Sequence, residues 1–310
     1  LHCTVHNFTL AKPKFQIFTY MYRPIMEDAL ALPFEEFSEI DVHQSLDKKQ
    51  EITDGILANE EKLNFEFDGA EYEHEVYIKE GGIYVFRIAN NTHKPIERED
   101  CFRIMRETNH PSCLVVIDNR KDRQVIAVEQ KGITSVFGKN PQLTDVLETT
   151  LRKALQQYRL TLDIRPKYHT SEFWQVVNTS MKFKGIELVQ FPFPYPNLPV
   201  ISDMVGEYMS DLARRTNSEP TLQLKGQNKE SVVLQEGDVW LLNAIKACAA
   251  SGRPILIKPK GSEVRKIGVK NPVYEDIPNG VLHDIDKKDL FNSKYQQIVE
   301  FLNTIKLVYE

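Results

Sequence analysis

Paired cysteines are missing from this sequence. Its four, Cys3, Cys101, Cys113 and Cys248, fall in no C-x-x-C pair, and a chain of 310 residues can bury a core without disulfide staples. Scattered thiols of this kind point to buried cysteines in a reducing, cytoplasmic compartment. Long apolar runs are missing as well. The nearest approach to the ~20 residues that cross a bilayer is Val239 to Ala250, which Asn243 and Lys246 interrupt. No membrane role is expected from it, and no signal-peptide pattern is read within these residues, which begin at Leu1 rather than Met. A strong excess of one charge is missing too. The net of −5 excludes a polyanion binder whose whole surface is basic. No fixed-period repeat or low-complexity tract occurs, which excludes solenoids and disordered tails.

Signatures of catalysis are also scarce. No G-x-S-x-G elbow is present, so a serine hydrolase has no support. No cysteine stands in a recognisable nucleophile context. The segment Gly132 to Lys139 sits between a strand and a helix, where a P-loop would sit. It has five residues between its glycines, however, and Asn140 and Pro141 follow the lysine. A P-loop needs four residues, a hydroxyl, and a free N–H at the helix start. A strand–loop–helix connection with an Asn cap explains every residue here. His2, Cys3 and His6 could ligate zinc, but no second ligand pair lies nearby in sequence, terminal histidines are more often solvated or tag-like, and no metal site is expected from them.

Charge, by contrast, is unevenly placed. Residues 1–100 hold 20 Asp and Glu against 10 Lys and Arg, while residues 102–167 hold 7 against 12. An acidic first third therefore abuts a basic middle, the pattern of a nucleic-acid face or of two surfaces that meet each other.

The first 137 residues read as antiparallel β. Leu63, Phe65 and Phe67 alternate with Asn64, Glu66 and Asp68, the period of a half-buried strand. Asp68-Gly69 and Gly81-Gly82 are turn signals, and 112–129 reads as a hairpin turned at 118–122. From residue 138 strands alternate with helices. Leu143, Val146, Leu147, Leu151 and Leu155 recur at helical spacing behind Asn140-Pro141. Ser202 is expected to cap a helix running to Ala213, and Gly252 to end the helix 238–250 in a left-handed turn. The expected fold is α+β: an acidic, mostly antiparallel β domain over 1–137, then an α/β domain over 138–310. The proline-rich connector 192–199 would divide that second domain into two small lobes.

Three constellations carry the functional expectations. Asp118, Glu129 and Lys131 resemble the two carboxylates and lysine that a Mg²⁺-dependent nuclease places around a phosphate. The hairpin counts against their meeting, since it separates the two acids by about 20 Å. Second, Glu66 and Asp68 on one strand and Glu71, Glu73 and Glu75 on the next form two acidic rows on one face. Either water and salt screen this face, or it meets something cationic. Third, Arg120, Lys121, Arg123, Lys131, Lys139, Arg152, Lys153 and Arg159 form a candidate phosphate-binding surface. Ordinary solvated charge explains that set too, with only Tyr158 and Tyr168 near enough to stack on bases.

The leading expectation is a cytosolic binding or assembly protein, homo-oligomeric or with a protein partner, with nucleic acid as a further candidate. It requires no cofactor. The alternative is a metal-dependent, nuclease-like enzyme using Mg²⁺. A bacterial host-defence role fits either.

Overall fold

The computed structural model describes residues 14–26, 42–59, 63–90, 92–97, 104–130, 136–137, 142–277 and 295–310. The chain runs through β1 (Lys14–Pro24), α1 (Val42–Asp47), α2 (Lys49–Leu57), β2 (Phe65–Phe67), β3 (Ala70–Tyr72), β4 (His74–Glu80), β5 (Ile83–Ala89), β6 (Thr92–Glu97), β7 (Ile104–Asn109), β8 (Ser112–Asp118) and β9 (Val125–Glu129). It continues through α3 (Leu143–Gln156), β10 (Leu160–Pro166), α4 (Ser171–Phe183), β11 (Ile186–Pro192), α5 (Pro199–Val205), α6 (Glu207–Thr216) and β12 (Thr221–Lys225). α7 (Val239–Ala250), β13 (Ile255–Pro259), β14 (Arg265–Ile267), β15 (Tyr274–Asp276) and α8 (Tyr295–Thr304) complete it. The class is α+β, and every pairing between named strands is antiparallel. The strand–helix alternation after residue 138 thus comes from helices laid on antiparallel sheets, without parallel crossovers.

The large sheet has the order β10-β1-β9-β8-β5-β4, with β15 beside the start of β1. Its strands alternate between two buried faces. Phe18, Tyr20, Phe86, Val115, Ile126 and their neighbours face α2, α3 and the β2–β3 hairpin. Phe15, Ile17, Val85, Val116 and Ala127 face Ile298, Phe301 and Leu302 of α8. β10 and β15 come from beyond residue 138, so this sheet draws strands from both sides of the expected domain boundary.

The second sheet, β12-β11-β13-β14, packs one face on α4, α5 and α7 through Phe173, Val177, Ile201, Leu241 and Ile245. Asp238 caps α7 by accepting from the Leu241 N–H at 2.8 Å. Gly252 follows at φ +67°, and a Cβ there would lie 2.6 Å from Arg165 Cβ. That glycine is needed both for the left-handed turn and for the close approach of α7 to β10. The 192–199 connector also touches the large sheet: Asn197 donates to Tyr22 O at 2.9 Å and accepts from Gln124 Nε2 at 3.0 Å.

Two expected caps move. α3 is capped by Gln142 in a reciprocal capping box with Asp145, while Asn140 and Pro141 lie outside the described residues. Ser202 is buried inside α5, and Gly206 at φ +98° separates α5 from α6. A glycine in that conformation breaks what reads in sequence as one helix.

Candidate functional site

The 112–129 hairpin forms as expected, and it keeps Asp118 from Glu129. Asp118 stands opposite Val125 while Val115 stands opposite Val128. Glu129 is therefore four residues along the ladder, about 13 Å away at strand spacing. Each acid also has a local task. Asp118 is fully buried. It accepts from Arg120 Nε and Nη2, both at 2.8 Å, and from Arg123 Nε at 3.0 Å. Glu129 accepts from the Leu114 N–H at 3.1 Å. Lys131 lies outside the described residues, as do Lys139, His2, Cys3, His6, Cys101 and most of the Gly132–Lys139 loop. Among the described residues, no three His, Cys, Asp or Glu converge as a cation cage.

Most of the described basic candidates are engaged by partners within the chain. Arg120 also donates to Asn303 Oδ1 on α8 at 3.0 Å, and Arg123 to the Leu302 carbonyl. Arg152 pairs with Glu148 at 2.6 Å and donates to Leu162 O. Lys153 pairs with Glu66 at 2.6 Å. Arg159 is buried in a left-handed conformation, φ +54°, where its carbonyl accepts from Ile25 N. Lys121 remains exposed. The guanidinium groups in this set hold the large sheet to α8 and α3, a role invisible to a charge count.

Of the acidic set, the register brings one pair face to face. β2 and β3 pair with Glu66 directly opposite Glu71, turned by Asp68 at φ +50° and Gly69 at φ +78°. That is the left-handed pair a two-residue hairpin requires. Like charges across a ladder repel, and Lys153 offsets this at Glu66. The ladder then changes sheets after Tyr72, since β4 pairs with β5 instead. Asp68 in the β2–β3 turn, Glu71, Glu73 at the β3–β4 junction and Glu75 are each exposed, but Glu71 and Glu75 belong to different ladders and so share no single pleated face. His110 Nδ1 stands 4.0 Å from Glu73, Tyr77 OH donates to Glu75 at 2.8 Å, and Arg87 stands opposite Glu75.

Two buried polar networks escaped sequence reading. In the first, Asn119 accepts from Tyr20 OH at 2.7 Å and donates to Asp54 Oδ1 at 2.8 Å. Tyr84 OH also donates to Asp54. Burial pushes the Tyr20 and Tyr22 phenols upward and does the same to the Cys248 thiol. These groups stay protonated near neutrality, which removes them as bases or nucleophiles. In the second network, buried Asp163 meets Arg165 at 2.7 Å, Arg253 at 3.2 Å and Arg23 at 3.4 Å. Glu219 pairs with Arg253 and, at 3.7 Å, with Arg23. This cluster ties β1 and β10 to the α7 end of the second sheet. Arg165 is two positions from Asp163, but the other pairs join residues 34 to 196 positions apart in sequence, so no local motif announces the cluster.

Lys167 has a different environment. It is fully buried and donates to the carbonyls of Lys306 at 3.3 Å and Leu307 at 3.1 Å. Burial, and next the nearby Arg123, lower its pKa to about 7. In the unfolded chain the ordinary value is about 10.4. Between those values the unfolded state binds more protons, so stability rises with pH. The penalty is complete below pH 7 and gone above about 10.4. We therefore expect a stability slope across pH 7–10 of up to about 1.4 kcal/mol per pH unit from this one group. Lys167→Met should flatten it. Urea unfolding of both proteins at stepped pH checks this, and equal slopes would disprove it.

Compared with known proteins, the chain matches no family model and no curated sequence.

Proposed function

We propose that this chain is a cytosolic binding or assembly protein that meets a cationic partner protein through the strip Asp68, Glu71, Glu73 and Glu75. The observation that carries this reading is the contrast in exposure. The candidate catalytic acids are consumed inside the large sheet, Asp118 by two arginines and Glu129 by a backbone N–H. The four acids from the β2–β3 turn to β4 are exposed. An exposed single-sign strip steers a partner of opposite charge and fixes its register. A nuclease would need Asp118 and Glu129 around one cation, and their positions on the β8–β9 ladder do not support that.

The test is a titration with a Lys- and Arg-rich peptide at low and high salt. A triple reversal, Glu71→Lys, Glu73→Lys and Glu75→Lys, is expected to weaken binding at least tenfold. A control reversal of exposed acids elsewhere, Glu207→Lys, Glu263→Lys and Glu300→Lys, is expected to change it less than twofold. Exposed substitutions of this kind shift stability by about 0.5 kcal/mol or less, so melting curves should coincide. Equal loss from both triples would refute the strip as the contact surface.

A further inference from the structure

We infer that the outer face of the second sheet, with the cleft at its end, binds a single-stranded polynucleotide. This surface is separate from the acidic strip, and the inference does not rest on the proposal made for that strip. One face of the sheet is packed on α4, α5 and α7. On the other, register places Lys225 and Lys258 on either side of Leu188. In the next row Gln223 and Gln190 stand beside Leu256 and Lys266. Residues opposite each other in a ladder share a face. Three lysines and two amides are therefore arrayed across four strands, with Lys225 and Lys258 about 10 Å apart.

A second observation places a concavity at the end of this face. A cleft of about 530 Å³ is lined by Glu187, Lys225, Gly226, Asn228, Glu230 and Lys260. Lys184 borders the same end: its Nζ would lie 3.7 Å from a Cβ built at Gly261, and the Lys260 N–H donates to Gly185 O at 3.0 Å. Two carboxylates line the cleft as well. Lys258 holds one of them, Glu187, at 3.0 Å. Five lysines against two glutamates leave the surface cationic. Immediately before Lys184 stands Phe183, 80% exposed at the end of α4.

The chemistry selects the ligand. Spaced lysines track a phosphodiester backbone, an exposed ring stacks on a base, and paired amides offer donors and acceptors to base edges. An open, shallow sheet suits unpaired nucleotides, whose bases are free to lie on it. A lipid surface would require a continuous apolar wedge, whereas the centre of this face is the Gln190–Gln223 pair, bonded at 2.6 Å.

Fluorescence anisotropy with a 15-nucleotide labelled oligothymidine or oligouridine, in steps of salt, tests the assignment. Wild-type binding should weaken steeply as salt rises. The double variant Lys225→Gln, Lys266→Gln should bind at least tenfold more weakly, with a log–log salt slope smaller by about 1.4, two phosphate contacts' worth. Phe183→Ala should lose about fivefold or more from stacking. Lys121→Gln, at the exposed hairpin tip, should bind as wild type. Melting curves of all variants establish that they fold, as exposed lysines allow. Absence of binding to either oligomer at low salt overturns the inference. So does equal affinity in the lysine variants, or capture by phosphatidylserine vesicles in place of the oligonucleotide.

Discussion

Replacing Asp118 with Ala should destabilise the fold by about 3–5 kcal/mol, the usual cost of removing one partner from a buried ion pair. The side chain is fully buried and accepts from two guanidinium groups at once, from Arg120 through both of its oxygens and from Arg123 through one. Without it, Arg120 and Arg123 stay beside the hairpin with no carboxylate. They also lose the anchor that lets them reach Asn303 and the Leu302 carbonyl on α8. The melting temperature should fall by about 10 °C, and α8 should become the first helix to exchange its amide hydrogens. A stability unchanged within about 0.5 kcal/mol would contradict this structural role and return Asp118 to the list of functional acids.

A second loss of similar size is expected for Asp163→Ala. Three arginines, Arg23, Arg165 and Arg253, converge on that carboxylate, and burial already lowers the pKa of Arg253. Deleting Asp163 leaves Glu219 as the one remaining named acid of Arg253 and Arg23, with its side chain 30% exposed. We expect a cost of about 3–5 kcal/mol. Glu219→Gln should cost only about 1 kcal/mol, since water screens that position. Urea unfolding of the two variants gives the ordering directly. A larger loss at Glu219 than at Asp163 would show that the cluster is held from the solvent side instead.

The elements that sequence reveals are those whose physics is local. The alternation at Leu63, Phe65 and Phe67 gave β2. Asp68-Gly69 gave its turn, and Gly252 the left-handed end of α7. What sequence hides depends on distant partners. Arg120, Arg123, Arg152 and Lys153 look alike in a charge count, and only the packing of α8, β10 and the β2–β3 hairpin shows that each is engaged. The break at Gly206 needs a backbone angle that composition does not supply. The lysines of the second sheet were legible in principle. Residues 258–270 hold Lys258, Lys260, Arg265, Lys266 and Lys270 against Glu263 alone. Over residues 168–310 as a whole, basic and acidic side chains balance, so the run does not show in a segment-wide charge count. The acidic strip was the most legible candidate, because alternate glutamates on a strand need no tertiary contact to be noticed. Its division between two ladders at Glu73 could not be read from spacing.

The most direct measurement is hydrogen–deuterium exchange of the wild-type protein with and without a saturating Lys- and Arg-rich peptide. A partner seated on the strip should slow exchange across residues 66–76. It should leave the 118–129 hairpin and α6 unchanged. Protection centred on 118–129, or spread evenly over the surface, would contradict the assignment of the β3–β4 junction as the binding face.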